Sequence, residues 1–265
     1  MKPAGSDRRE TALITGASEG IGRELARVFA SRGFDLVLVA RSAEKLEALA
    51  GELSRHGVRA EPVPKDLSRS DAPAELFDLL TRRGVQVDAL VNNAGVLEFG
   101  PFLEVDPARI AGMLDLNVRA LTAMTRLFVP PMVAAKRGRV LNLGSVASFV
   151  PTPVLAAYGA TKAFVLSFSE ALAEELRGTG VTVSVCCPGI TETHMARQVE
   201  SLAKFEGLVP LLDAAEVARS AFEACMAGEV IHVPGRANRI AIGVLGLQPR
   251  WLVRWLGGAI GRFAT

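Results

Sequence analysis

Seven short apolar runs punctuate this chain, and stretches of helical periodicity separate them. The runs are Ala12–Thr15, Asp35–Ala40, Val58–Val63, Ala89–Asn92, Arg139–Leu143, Val181–Cys187 and Val230–Val233. They are rich in Val and Leu and lack the polar alternation of a strand with one wet face. They therefore read as strands buried on both sides. The stretches between them include Gly22–Ser31, Ala43–Arg55, Ala74–Arg82 and Val165–Arg177. Strand followed by helix, repeated along the chain, predicts an α/β fold: a doubly wound parallel sheet held in three α/β/α layers. No linker, repeat or low-complexity block interrupts the pattern. Residues 1–235 read as a single domain, and 236–265 as a helical C-terminal tail.

At 265 residues, 49% hydrophobic and 22% charged, the chain is neither disordered nor fibrous. Thirty basic against 28 acidic residues give a net +2, which argues against a nucleic-acid partner held through phosphates. The balance is uneven. Arg236, Arg239, Arg250, Arg254 and Arg262 occur in the tail without a single acid, so the tail is +5 and the first 235 residues −3 of the total +2. Three cysteines without a CxxC are too few for a disulfide framework, and with no HExxH no metal centre is expected. The start is polar, and no apolar run reaches the roughly 18–20 residues a spanning helix needs. A cytoplasmic protein is expected.

In a doubly wound sheet, ligands sit beyond the carboxyl ends of the strands. After the first strand comes Thr15-Gly16-Ala17-Ser18-Glu19-Gly20-Ile21-Gly22, then a helix. Glycines there permit a tight turn and close backbone approach, and the helix N-terminus offers free N–H groups to a pyrophosphate. The second strand ends in Val39-Ala40-Arg41-Ser42. A carboxylate at that point would bind the ribose hydroxyls and repel a 2′-phosphate. An arginine instead favours the phosphate, hence NADP over NAD.

Three further stretches complete a pattern: Asn92-Asn93-Ala94-Gly95 after the fourth strand, Ser145 after the fifth, and Tyr158-Gly-Ala-Thr-Lys162. Together with Gly16, Gly20 and Gly22 they resemble the short-chain dehydrogenase/reductase family in its single-domain form, over roughly Thr11 to Val233. NNAGVLEFGPF and VIHVPGRANR are similar to bacterial members near the ketoacyl and hydroxysteroid reductases. The resemblance implies a Rossmann-type fold, a nicotinamide cofactor and reversible oxidation of an alcohol to a carbonyl. By the same resemblance Asp66 and Leu67 hold the adenine, and Asn93, Ala94 and Gly95 line the adenosine ribose side. Pro188, Gly189, Ile190, Thr191 and Thr193 then wrap the nicotinamide, and family members form homodimers or homotetramers. Glu19 departs from the pattern, because NADP-preferring relatives often carry a basic residue there. The 2′-phosphate is then left to Arg41 and Ser18.

The chemistry follows from the side chains. An alkoxide formed from a carbonyl needs stabilisation and a proton, and a tyrosine hydroxyl can supply both. Tyr158 is the chain's one tyrosine. Lys162 lies one helical turn on, on the same face, where its ammonium would favour the phenolate and lower the phenol pKa. Ser145 can polarise the carbonyl, and the resemblance makes Asn117 the anchor of a water-linked proton path to Lys162. The alternative is a catalytically idle dinucleotide-binding sensor or scaffold.

The segment His194–Leu212 corresponds to the family's mobile lid. Its apolar residues, with Leu97, Phe99, Phe149, Val150, Val154 and Leu155, predict a hydrophobic pocket for a fatty-acyl, steroid-like or similar carbonyl. In the tail, Trp251, Leu252, Trp255, Leu256, Ala259 and Ile260 recur at helical spacing while Arg250 and Arg254 project elsewhere. Such a helix packs on the domain, on a partner subunit, or on a membrane surface.

Overall fold

The computed structural model describes residues 8–192 and 211–264. Among them are seven strands: β1 (Thr11–Thr15), β2 (Asp35–Ala40), β3 (Ala60–Pro64), β4 (Ala89–Asn92), β5 (Gly138–Leu143), β6 (Val181–Cys186) and β7 (Ile231–His232). They form one sheet in the order β3-β2-β1-β4-β5-β6-β7 with every pairing parallel. The chain winds outward from β1 to β3, then returns to place β4 on the other side of β1. That reversal opens a crevice at the carboxyl ends of β1 and β4.

Helices cover both faces. On one side α1 (Gly20–Ser31), α2 (Ala43–Leu53) and α7 (Ala214–Ala227) close a core in which Phe29 stands edge-on to Phe34 and Phe222, at centroid distances of 5.1 and 4.8 Å. On the other lie α3 (Ala72–Arg82), α5 (Leu121–Ala134) and α6 (Ala156–Glu175), burying Leu76, Met124, Phe128 and Val165. The tail forms α8 (Arg236–Gly246) and α9 (Arg250–Ala264).

The expected strands are all present: β2 and β4 have the expected bounds, and the other five have shifted ends. Burial on both faces fails at β3, where Ala60, Glu61 and Pro62 are half-buried and Pro64 is exposed. The cause is its place at the sheet edge, the position that tolerates its two prolines. Helix α6 starts at Ala156, well before the expected Val165, and so carries Tyr158 and Lys162 in its first two turns.

Four buried polar side chains, unanticipated in the sequence, clamp the helices behind the crevice. Asn92 Nδ2 donates to Thr125 Oγ1 (3.1 Å) and to Asn142 Oδ1 (2.9 Å), and Asn142 Nδ2 donates to Ser169 Oγ (2.9 Å). Thr125 and Ser169 in turn donate to the Leu121 and Val165 carbonyls. The chain links β4, β5, α5 and α6 with these polar atoms paired, the condition under which a buried network stiffens a core.

Candidate active site

Two glycines shape the turn after β1. Gly16 has φ +66°, open to glycine without strain, and its neighbour in space is Gly22 at the start of α1. A Cβ on Gly22 would collide with the Gly16 carbonyl oxygen and the Asn93 amide. Glu19 precedes α1 and its side chain makes no capping bond, so side chains leave the first N–H groups of the helix free. This is a cradle for a phosphate group, built from backbone.

The wall of the cradle is tied to β4. Thr15 Oγ1 accepts from the Asn93 and Ala94 N–H groups at 3.0 Å each, and Asn93 Nδ2 donates to the Thr15 and Gly16 carbonyls at 2.9 and 3.2 Å. Asn93 therefore spends its side chain holding the turn. Sequence reasoning missed Thr15, whose hydroxyl organises both strands' ends.

Arg41 is exposed at the end of β2, and its charge helps hold the Asp66 carboxyl below the usual range. The larger cause is Ser68, whose Oγ and N–H donate to Asp66 at 2.7 and 3.0 Å. Leu67 beside it is buried. Glu19 pairs with Lys45 at 3.1 Å, a partner not anticipated in the sequence. Ser18 is half-buried and Ile21 packs against the α1-side core.

Across the crevice, Gly144-Ser145 follows β5. Ser145 caps a short turn, Val146–Ser148: its Oγ accepts from the Ala147 N–H at 3.1 Å, and the Ser148 Oγ accepts from the Ser145 N–H at 3.2 Å. Ser148 Oγ then donates to the Lys162 carbonyl at 2.8 Å, fastening this turn to α6. Ser145 lies close enough to the Tyr158 phenol for its hydroxyl to favour the phenolate. Lys162 Nζ donates to the Leu143 carbonyl at 2.7 Å and lies 5.8 Å from the centre of the Tyr158 ring. The structure thus brings Ser145, Tyr158 and Lys162 together.

Burial pushes the Tyr158 phenol up to about 12, against the smaller opposing pull of the Ser145 hydroxyl. It pushes the Lys162 ammonium down to about 8. The expected lowering of the phenol is therefore reversed in the protein alone: desolvation is the largest cause, and Ser145 opposes it without cancelling it.

Asn117 is buried in a π-helical turn, Asp115–Ala120, between α4 (Pro107–Leu114) and α5. Such single-turn irregularities cluster at functional sites. Its Oδ1 accepts from the Val96 N–H (2.9 Å), while Nδ2 donates to the Val96 carbonyl (2.9 Å) and Thr161 Oγ1 (3.2 Å). A Cβ added to Gly95 would sit 3.2 Å from Asn117 Oδ1 and 3.7 Å from Lys162 Nζ. Gly95 is thus where the β4 loop meets the lysine.

Pro188 accepts from the Val146 N–H at 3.0 Å, which joins the segment after β6 to the Ser145 turn. Gly189 abuts Asn238 of α8, and Thr191 bridges to Leu212. Ile190 is half-buried. Thr193 and the lid as far as residue 210 lie outside the described residues. Of the expected pocket, Leu97, Phe99, Phe149, Val150, Val154 and Leu155 are all half-exposed. Val154 holds φ +60°, an outlier for a β-branched side chain, with its carbonyl accepting from the Gly100 N–H at 2.8 Å. Among the described residues no cluster of three His, Cys, Asp or Glu side chains suits a metal, and no helix is long and apolar enough to cross a membrane.

Comparison with known proteins agrees with this geometry. A family model described as short chain dehydrogenase matches residues 10–203. A very-long-chain 3-oxoacyl-CoA reductase of Mycosarcoma maydis is 40% identical over 207 residues, 77% of this chain and 58% of that protein. The chain spans only 58–63% of the length of three of the curated relatives it matches. A short-chain dehydrogenase from Sphingobium yanoikuyae in complex with NADPH superposes with a TM-score of 0.77 at 33% identity, covering 91% of this chain and 97% of that one. A 7beta-hydroxysteroid dehydrogenase structure gives a TM-score of 0.84 at 28% identity, covering 94% and 96%. The matched stretch contains both glycines of the cradle, Ser145, Tyr158 and Lys162, and on that footing the chain belongs to the short chain dehydrogenase family.

Proposed function

We propose that the protein is an NADP(H)-dependent oxidoreductase that interconverts a carbonyl and a secondary alcohol on a hydrophobic substrate. The observation that carries this reading is the Ser145–Tyr158–Lys162 cluster facing the end of the glycine cradle. The residues present fit a nicotinamide dinucleotide: a backbone cradle a Cβ would fill, an exposed arginine at the end of β2, and Asp66 and Leu67 beside it. The complex of the Sphingobium relative with NADPH supports the same cofactor. When bound, the cofactor supplies or accepts the hydride.

The chain's own residues handle the oxygen and the proton. Ser145 Oγ–H donates to the carbonyl oxygen and orients it beside the phenol. Tyr158 gives its proton to that oxygen as negative charge develops, and Lys162 stabilises the phenolate left behind. Asn117, fixed on both sides by Val96 and bonded to Thr161, anchors the path by which the proton is replaced. The half-exposed apolar wall from Leu97 to Leu155 supports a fatty-acyl, steroid-like or similar substrate. The acyl-CoA and hydroxysteroid chemistry named for the two relatives points the same way. The catalytic unit spans residues 1–235 and assembles as a homodimer or homotetramer. The outer face of α6, with Phe164 stacked on Phe168 at 5.7 Å, supports that assembly.

Tyr158→Phe keeps the ring and removes the proton donor. Turnover should fall about 10²- to 10⁴-fold while NADPH binding and the melting temperature stay within error. Turnover near the parent's value would overturn the assignment. A panel of apolar and polar carbonyls, run with NADPH and NADH in parallel, tests the substrate class and the cofactor together. Activity confined to sugars would overturn the apolar reading.

A further inference from the structure

Five of the ten large hydrophobic side chains exposed among the described residues lie in the short tail. Ile240, Val244 and Leu247 are 68, 54 and 85% exposed, and their spacing puts them on one face of α8 and the residue that caps it. Trp251 and Trp255, 64 and 61% exposed, repeat one turn apart on α9. Arg236, Arg239, Arg250 and Arg254 are exposed beside them, and the sequence from 236 to 265 contains no acid.

The inner side of the tail is seated. Val253 is buried, Gly257 lies against the Pro151 carbonyl with Pro153 beyond it, and Asn238 abuts Gly189. Pro151–Pro153 leads into α6 just before Tyr158, and Gly189 follows β6. The tail therefore grips both edges of the candidate cleft and turns tryptophan and arginine outward.

We propose that this outward face docks on an anionic lipid bilayer, holding the cleft beside the membrane surface. Tryptophan rings settle at headgroup depth, and arginines meet lipid phosphates without any carboxylate to repel them. Charge selects this occupant over a second copy paired tail to tail, because a two-fold contact would set +5 against +5. The docking stands independently of the reductase reading. Its use, taking an apolar carbonyl directly from the lipid phase, rests on that reading.

The chain's two tryptophans are both in α9, so tryptophan emission of the intact protein reads this helix alone. The probe is phosphatidylcholine vesicles with and without phosphatidylglycerol, at low and high salt. The expected result is a blue shift and protection from acrylamide on the anionic vesicles only, reversed by salt. Arg250→Gln with Arg254→Gln should weaken binding about 25-fold, about fivefold per arginine near an anionic surface. Unchanged emission on anionic vesicles, an equal response to neutral ones, or undiminished binding of the double variant would overturn the proposal. So would emission already blue and quencher-protected without lipid, accompanied by a dimer mass that Trp251→Ser with Trp255→Ser abolishes. That result assigns the face to a second copy. None of these readouts depends on turnover, so failure here is distinguishable from failure of the reductase reading.

Discussion

Lys162 is 7% exposed, and the folded protein without cofactor lowers its ammonium from 10.5 to about 8. That gap is a statement about stability. Below pH 8 both folded and unfolded chains hold the proton, and the folded state bears the full penalty of a buried charge. Between about 8 and 10.5 the folded chain is neutral while the unfolded chain still binds a proton, so stability rises with pH through this window. The gap corresponds to a penalty of about 3 kcal/mol at neutral pH. Lys162→Met keeps the length of the side chain, removes the charge, and leaves the Leu143 carbonyl without its 2.7 Å donor. The lost hydrogen bond costs about 1–3 kcal/mol whatever the pH.

The sign at one pH is therefore a balance of two similar numbers, but the pH dependence is not. The variant's stability relative to the parent should fall by about 2–3 kcal/mol from about pH 7 to about pH 10. Tyr158, raised to about 12, costs stability only above about pH 10, and does so in both proteins. Urea denaturation followed by circular dichroism, without dinucleotide, measures the difference at each pH. Parallel stability curves for the two proteins would show that Lys162 is not desolvated as described. The variant should also lose turnover, since nothing then stabilises the phenolate.

Gly22→Ala places a Cβ inside the Gly16 carbonyl oxygen and the Asn93 amide. Backbone cannot yield cheaply, so the expected cost is at least about 2 kcal/mol with loss of dinucleotide binding, read by thermal melting and NADPH fluorescence. Asn142→Val strips Asn92 of an acceptor and Ser169 of a donor. The expected loss is about 3 kcal/mol, a fall in Tm of about 10 °C for a domain of this size, and calorimetry checks it.

The β/α order was legible because burial on two faces leaves a run rich in Val and Leu, and the sheet interior imposes that condition on β1, β2 and β4 and on most of β5 and β6. It was least legible at β3 and β7, where one neighbour is missing and the pattern weakens. The glycine cradle was legible because its constraint is steric and local. The partnership of Tyr158 with Lys162 was legible because a single helical turn sets it. Thr15, Ser148, Asn142 and Lys45 were not, because each acts on a group far away in sequence and none is an unusual residue where it stands.

The reversed pKa of Tyr158 marks where local reasoning fails. Spacing supplies the pair Tyr158–Lys162, and a pair alone argues for a lowered phenol. Desolvation is a sum over everything packed around the pair, and the groups that meet it include the Leu143 carbonyl and the Ser145 turn. These lie outside the single helical turn that sets the pair. The same enclosure discourages both the phenolate and the ammonium while the protein is empty. On this argument the cluster is held neutral at Tyr158 at physiological pH. On the proposed mechanism it stands in the protonated form that reduction needs, as a weaker acid than a free phenol, and the phenolate that oxidation needs is populated only as the pH rises.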